Sequence, residues 1–190
     1  MEKFRSDLTK FIDGLYEGEK KVLVHGEGRV GARVMLVGEA PGEQETLLGR
    51  PFVGKAGKNL DEFLELAGID RDELYVSNAV KFRPTTISAA GRTVNRPPTQ
   101  EEIRLFLPWL KQEIERVRPE CVVTLGNVPL KALLDRRAVI GDVHGTFVRQ
   151  EGFTLYPMYH PASMIYNPSL RAVYREDVQR LAQWLQSTQK

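Results

Sequence analysis

The chain has 190 residues, 27% of them charged, and its 27 basic and 25 acidic side chains leave a formal net charge of +2. This length predicts a single domain over residues 1–190, and the balanced charge excludes a strongly basic nucleic-acid-binding tail. No stretch approaches the roughly 20 consecutive apolar residues that cross a bilayer, so we expect a cytoplasmic, nucleoid-associated protein without a membrane partner. The single cysteine, Cys121, excludes an internal disulfide and any metal or iron–sulfur site made of cysteines alone.

Apolar spacing predicts helices and strands that alternate along the chain. The predicted elements are a helix over 3–18, a short edge strand over 22–25, a core strand over 34–37, a helix over 55–67, a core strand over 74–80, a helix over 99–117, a core strand over 121–125, a short helix over 128–134, a hairpin over 147–158 that supplies the fourth core strand, and a helix from about 169 to 186. Residues 83–98 lack an apolar period, which predicts a long functional or mobile loop. The alternation predicts an α/β fold of three layers, α/β/α, with a central, mainly parallel four-stranded sheet.

Three of the predicted strands are followed by polar side chains that suit a binding site. Glu39 and Glu45 follow the first core strand, Asn78 ends the second, and His160 follows the fourth. Ligands of open α/β sheets bind at the carboxyl ends of the strands, so these side chains are expected at one edge. An Asn offers a donor and an acceptor to the edge of a pyrimidine ring, a His donates to a developing oxyanion, and Phe52 offers a flat face. The combination predicts a pocket for a planar heterocycle.

Each of these residues also has a purely structural interpretation. Asn78 at a strand end forms a turn more often than it recognises a ligand, and Phe52 is more often part of a core than a stacking surface. Glu39 and Glu45 also suit the capping of a turn or helix, and His160 suits an exposed loop. Only the conjunction of these side chains on one sheet edge favours a site.

Five motifs, in order along the chain, resemble those of family 4 uracil-DNA glycosylases. They are Gly38-Glu39-Ala40-Pro41-Gly42, Gly49-Arg50-Pro51-Phe52-Val53-Gly54-Lys55-Ala56-Gly57, Ser77-Asn78-Ala79-Val80-Lys81, Leu125-Gly126 and His160-Pro161-Ala162-Ser163. The resemblance runs from about Val22 to the last helix, and the first two motifs are specific. It implies an enzyme that flips uracil out of single- or double-stranded DNA and hydrolyses its bond to deoxyribose, leaving an abasic site. We expect it to be a monomer.

The resemblance also implies how the base is bound. Phe52 would stack on the base, Asn78 would read its O4 and N3 edge, and His160 would bond O2. Ala40, assigned to the substrate pocket, stands where the best-known uracil glycosylases have an aspartate that activates water.

Because that aspartate is absent, the resemblance implies a largely dissociative reaction that relies on stabilising the leaving group. His160 would stabilise the charge that grows on O2. Glu39 and Glu45 would orient the attacking water or stabilise the positive charge on the sugar, and either carboxylate fits either task.

Residues in or beside these loops are predicted to contact DNA. Basic side chains would grip phosphates, and the loop after His160 resembles the family's wedge, with Met164, Ile165 or Tyr166 filling the gap left in the stack. The predicted DNA contacts are Lys55, Lys81, Arg83, Arg96, Ser163 and Met164. Surface solvation, for the basic residues, and core packing, for the wedge, are the alternatives.

Family 4 members normally hold an iron–sulfur cluster on four cysteines, which this chain lacks. By the motifs, two of those positions fall near Phe11 and Gly14, and two at Phe82 and Phe106. We therefore expect no metal and no cofactor, with hydrophobic packing in place of the cluster.

The loop between Lys81 and Thr99 is longer than is usual in family 4, and it resembles that of a branch that captures uracil-DNA covalently through a histidine. The corresponding position here is Asn95, which lacks a nucleophilic imidazole, so turnover is expected. Two alternatives to uracil excision stay open. One is excision of another deaminated base, hypoxanthine or xanthine, and the other is non-catalytic binding of uracil-containing or abasic DNA.

Overall fold

A six-stranded sheet forms the centre of the molecule in the computed structural model, which describes residues 1–188. The strands of the chain are β1 (Glu27–Gly28), β2 (Val34–Gly38), β3 (Tyr75–Asn78), β4 (Thr85–Ile87), β5 (Thr93–Asn95), β6 (Cys121–Leu125), β7 (Val148–Arg149) and β8 (Thr154–Met158). Strands β3, β2, β6 and β8 are parallel and adjacent in that order. The short strands β1 and β7 pair antiparallel at the two edges. The predicted four parallel strands are thus confirmed.

Helices connect the strands. They are α1 (Glu2–Leu15), α2 (Glu43–Leu48), α3 (Lys55–Leu66), α4 (Gln100–Val117), α5 (Asn127–Leu133), α6 (Ile140–Val143), α7 (Ser163–Tyr166) and α8 (Leu170–Ser187), with a short 3₁₀ turn at Arg71–Glu73. The long helices begin and end within a few residues of the predicted positions. The capping box predicted at Thr99 is confirmed, because the Glu102 N–H donates to the Thr99 hydroxyl and the Glu102 carboxylate accepts from the Thr99 N–H.

The helices cover both faces of the sheet because its parallel strands are apolar on both sides. All five residues of β2 are buried. Val34 and Leu36 pack in the cluster that α3 and α8 cover, whereas Met35 and Val37 pack in the cluster that α4 covers. This is the predicted three-layer α/β/α arrangement. Among the described residues, no helix is both long and apolar enough to span a membrane.

The short helices α2, α6 and α7 were not predicted, and two strand segments also differ from the prediction. The region 83–98 contains an antiparallel hairpin, in which β4 pairs with β5 and Thr85 lies opposite Asn95. The edge strand expected at residues 22–25 is reduced to a single bridge between Leu23 and Phe82, and the edge strand β1 follows a few residues later. The hairpin strands are three residues each and largely exposed, so they carry no apolar period that sequence could reveal.

Aromatic packing fills the region where the resemblance places two of the cluster cysteines. The ring centroids of Phe82 and Phe106 are 5.5 Å apart, and those of Phe82 and Tyr16 are 5.7 Å apart, both in edge-on geometry. Phe11 lies outside this buried group, because it is 42% exposed and packs on Trp109. These side chains offer no thiolate to iron, so the residues here do not fit an iron–sulfur cluster.

The one cysteine lies elsewhere, in the sheet. Cys121 is the first residue of β6 and is buried. Burial raises the pKa of its thiol to about 12, which is the behaviour of a structural, unreactive cysteine.

Substitutions in and beside this aromatic cluster test whether its packing stabilises the fold. Phe106→Ala should lower the free energy of unfolding by about 3–5 kcal/mol, because it leaves a cavity among packed rings. Phe11→Ala is the matched control, and its half-exposed ring should cost no more than about 1 kcal/mol. Urea denaturation measures both. Equal losses in the two variants would contradict the proposed packing.

Candidate active site

A cavity of about 290 Å³ opens where β2, β3 and β8 end. Its lining comes from the loop after β2, the start of α3, the end of β3, the hairpin and the loop after β8: Ala40, Gly42, Glu43, Gln44, Glu45, Phe52, Gly54, Lys55, Ala56, Asn78, Asn95, His160 and Ala162. A larger depression of about 750 Å³ lies near the end of α4, at the opposite edge of the sheet, and none of the predicted site residues lines it. The predicted site residues that line a cavity therefore line the small one.

Gly38 ends β2 at the point where two predicted site side chains meet. A Cβ atom on Gly38 would collide with Oδ1 of Asn78 and with the ring of Phe52. Asn78 is only 3% exposed, and within residues 1–188 its side-chain amide makes no hydrogen bond. A buried amide that borders a cavity without a protein partner is placed to bond a ligand.

Phe52 has a backbone conformation that is rare for a bulky residue, with φ of 54°. Arg71 holds this turn by donating from Nη1 to the Phe52 carbonyl (3.1 Å) and from Nη2 to the Pro51 carbonyl (2.9 Å). Gly57 is needed beneath it, because a Cβ atom there would strike the Phe52 carbonyl. The turn places the ring against the cavity, almost fully buried.

Glu45 holds the other side of the same turn. Its Oε1 accepts from the N–H groups of Val53 (3.1 Å) and Gly54 (2.8 Å), and its Oε2 accepts from that of Gly42 (3.1 Å). One carboxylate thus caps the first turn of α2 and orders the residues that lead into α3. This favours the capping interpretation of Glu45 over direct catalysis.

Glu39 is different from Glu45 in its surroundings. Its carboxylate is half-buried and makes no hydrogen bond within residues 1–188, and burial raises its pKa above the ordinary value. It is absent from the cavity lining. Its contact with a water or a sugar therefore stays a prediction.

His160 is held as a neutral ring. Gly126 gives it room, because a Cβ atom there would come within 3.2 Å of the His160 Cβ. The Ala162 N–H donates to Nδ1 of His160 (3.1 Å), so Nδ1 carries a lone pair and the ring proton lies on Nε2. Burial lowers the pKa of His160 to about 4. At neutral pH the ring is therefore an uncharged Nε2–H donor.

The rings of Phe52 and His160 are neighbours in the cavity lining. Their centroids are 5.9 Å apart and their planes differ by 30°. Together with the Asn78 amide they supply an aromatic face, an N–H donor and an amide edge around one small cavity. This is the combination that the sequence predicts for a planar heterocycle.

The hairpin forms one lip of the cavity. Asn95, the position that the resemblance singles out for covalent capture, lines it. Arg83 joins this lip to the start of α2, since its Nε donates to Oδ1 of Asn95 (2.6 Å) and its Nη2 to the Glu43 carboxylate (2.9 Å). Two N–H donors of Arg83 are thus used within the protein, and its contact with DNA stays a prediction.

The other basic residues predicted to contact phosphates differ in their exposure and in their partners within the protein. Lys55, the first residue of α3, is exposed and lines the cavity, as a DNA contact requires. Arg96 makes two hydrogen bonds to the Glu102 carboxylate, at 2.7 and 2.6 Å. Lys81 is 0% exposed and pairs with Glu113, so the prediction that it contacts DNA is wrong.

The wedge prediction also needs a correction. Met164 is 3% exposed and packs in the core under α8, so it cannot enter a base stack. Its neighbours in the short helix α7 are free, with Ile165 46% and Tyr166 86% exposed. Ser163, which begins α7, is partly exposed and donates its N–H to the His160 carbonyl.

Sequence reasoning missed two residues that support the site. Arg71 lies in a polar turn with no periodic signal, and only the folded chain brings it to Phe52. Glu113 did leave a signal, because it lies on the inward face of α4 among Leu110, Ile114 and Val117. A charged residue on an apolar helix face requires a buried partner.

The fold and this cavity suit the binding of a flat, hydrogen-bonding ring at the carboxyl edge of an α/β sheet. The profile of the Uracil DNA glycosylase superfamily matches residues 25–186. The type-4 uracil-DNA glycosylase of Saccharolobus solfataricus is 37% identical over 177 residues, covering 88% of this chain and 78% of that protein. That of Thermotoga maritima is 38% identical over 162 residues, covering 83% and 80%. The chain therefore belongs to the uracil DNA glycosylase superfamily, and type-4 enzymes are among its relatives.

A solved structure is similar in fold. The crystal structure of Pedobacter heparinus SMUG2 superposes with a TM-score of 0.58 over 82% of this chain and 75% of that one. The two sequences are only 15% identical, so the similarity concerns the fold alone.

The state of His160 gives a pH prediction. With a pKa of about 4, the ring should stay neutral and protonated on Nε2 from about pH 5 to pH 8. An unfolded histidine binds a proton near pH 6.5, at roughly the ordinary value. The free energy of unfolding should therefore fall as the pH drops from about 6.5 towards 4, where the unfolded chain binds more protons.

Two-dimensional ¹H–¹⁵N NMR of the imidazole rings measures this state directly, and the chain has only three histidines to assign. The His160→Gln variant identifies the His160 signals by their disappearance. A His160 ring that titrates near its ordinary pKa, or that carries its proton on Nδ1, would contradict the assignment.

Proposed function

We propose that the protein is a DNA-repair glycosylase that excises uracil from DNA and leaves an abasic site. The observation that carries the proposal is the convergence of the Asn78 amide, the Phe52 ring and neutral His160 on one small cavity. Membership of the superfamily and the names of the type-4 relatives support the same substrate. A base hidden in the stack must be flipped out to reach such a cavity.

Asn78 selects the base. Its Nδ2 donates to O4 of uracil and its Oδ1 accepts from N3–H, while Phe52 stacks on the ring face. Cytosine has an amine donor in place of O4 and no proton on N3, so it makes neither bond when the Asn78 amide is oriented in this way. The amide makes no hydrogen bond within residues 1–188, so no bond within the described protein has to break before it binds uracil.

His160 stabilises the leaving group. As the C1′–N1 bond breaks, its electron pair stays with uracil and negative charge grows on O2. The Nε2–H of the neutral ring donates to that oxygen more strongly in the transition state than in the ground state, which is the condition for catalysis.

Water then adds to C1′ of the deoxyribose cation, and the proton that it releases balances the negative charge carried by the departing uracil anion. Glu39 is the carboxylate that fits the orientation of this water, because Glu45 already accepts three backbone N–H groups. Asn95 lines the cavity without an imidazole nucleophile, so the product is released rather than captured.

DNA lies across the mouth of the cavity. Lys55 binds a phosphate beside the flipped nucleotide, and Tyr166 fills the gap in the stack, since its ring is the most exposed of the loop. We further propose that the protein acts as a monomer, and its location beside the nucleoid stays a prediction.

One assay tests the proposed activity. Duplexes with a single uracil, hypoxanthine or xanthine are incubated with the protein, and abasic sites are then cleaved with alkali. Breaks at uracil are expected. Breaks only at another base would replace the substrate, and shifted but uncut DNA would replace excision by binding.

Replacing the amide of Asn78 tests base selection. Asn78→Asp should lower the rate of uracil excision by a factor on the order of 10 to 100, because a carboxylate has no donor for O4, and it should narrow the preference for uracil over cytosine. Asn95→Asp makes the same chemical change at the cavity lip and should leave the preference intact. Unchanged selectivity in Asn78→Asp would defeat the assignment.

Removing the imidazole tests leaving-group stabilisation. His160→Ala should slow single-turnover excision by about 100- to 1000-fold, as loss of an oxyanion donor does elsewhere. Binding to uracil-containing DNA, measured by fluorescence anisotropy, should change by far less. A parallel loss of binding and rate would assign His160 to binding alone.

A further inference from the structure

Two opposite charges are buried behind the cavity, in a place where the proposed reaction does not use them. Lys81 is 0% exposed and Glu113 is 1% exposed, with Nζ and Oε2 2.5 Å apart. Burying such a pair costs desolvation that its mutual attraction often fails to recover, and apolar residues in its place are often equally stable. A gain in folding free energy therefore does not explain why this ion pair is buried here.

All three N–H donors of the Lys81 ammonium group have an acceptor. Lys81 Nζ donates to Glu113 Oε2, to the Ser77 hydroxyl (2.5 Å) and to the backbone carbonyl of Asn78 (2.7 Å). Three donors thus meet three acceptors. Glu113 also accepts from the hydroxyls of Tyr75 (3.0 Å) and Ser77 (2.9 Å). Every partner other than the pair itself belongs to β3.

The network ends on the residue proposed to read the base. The backbone on either side of the Asn78 carbonyl is also held, because the Ala79 N–H donates to the Gly38 carbonyl (2.8 Å) and the Val80 N–H to that of Glu39 (3.0 Å). The side-chain amide of Asn78, in contrast, makes no hydrogen bond within residues 1–188. Its direction is therefore set by the backbone from which it projects and by the packing at Gly38, where the ring of Phe52 also lies.

We propose that Lys81 and Glu113 are positioning residues that fix the backbone of Asn78 and thereby aim its amide into the cavity. The ion pair contributes to base selection through Asn78 and touches no substrate itself. The catalytic part of this inference rests on the proposed uracil excision, whereas the positioning part does not.

The test removes both charges together. The double variant Lys81→Met/Glu113→Leu keeps roughly the same volume and leaves no unpaired buried charge, so it is the variant most able to fold. Ile114→Ala is the matched control, because Ile114 neighbours Glu113 on α4 but packs against the sheet and the far depression. Both are compared with the wild type for thermal unfolding and for single-turnover excision of uracil.

A double-mutant cycle with Asn78→Ala separates positioning from mere support. In the chain with Asn78, we expect the double variant to lower the excision rate by a factor on the order of 100, as misplacement of a positioning group does. In the Asn78→Ala chain the same substitutions should lower it by less than about threefold further. Equal factors in the two backgrounds, or no loss of rate in either, would overturn the proposal.

A second readout does not depend on catalysis. The side-chain NH₂ signals of Asn78 are identified in ¹H–¹⁵N spectra by their absence from Asn78→Ala. They should shift or broaden in the double variant and stay in place in Ile114→Ala. If the wild type excises no uracil, the proposed function fails and this comparison still decides the positioning. Unchanged Asn78 signals in a folded double variant would refute it.

Discussion

The lack of a side chain at Gly38 is the constraint on which the site depends. Only a glycine at the end of β2 lets the ring of Phe52 and the amide of Asn78 approach the same point from two different segments. The parallel pairing of β2 with β3 sets Gly38 opposite Asn78, and the parallel order of the sheet brings the loop after β8 to the same edge. Sheet geometry and one missing methyl group thus create the cavity.

The turn that carries Phe52 is held from both sides by charged groups that act on backbone atoms. Arg71 binds two carbonyls of the turn, and Glu45 binds the N–H groups that follow. Hydrogen bonds to charged groups are stronger than those between neutral groups. Side chains that a motif search would assign to chemistry or to the surface therefore serve the shape of the pocket.

Sequence alone predicted the parts of the fold that follow from local apolar spacing. The four parallel strands, the long helices and the capping box at Thr99 all have signals within a few residues of one another. The hairpin of β4 and β5 was missed because its exposed strands bury too little to leave a pattern.

The site was predicted for a different reason, the convergence of parallel strand ends, which brings Asn78 and His160 to one cavity with Phe52. The sequence could not distinguish exposed from buried members of the same motifs. Lys81 and Met164 occupy motif positions that suggested DNA, but their exposure is set by partners remote in sequence, Glu113 and the core under α8.

The positive φ of Phe52 bears on which residue this position can accept. A positive φ at a residue other than glycine costs about 1–3 kcal/mol, and glycine at this position would relieve that strain. The buried ring contributes more than that strain costs, because truncating a buried Phe typically costs about 3–5 kcal/mol. Loss of the ring would therefore weaken the fold as well as the proposed site, so the strained turn is kept because stability and activity both need the same side chain.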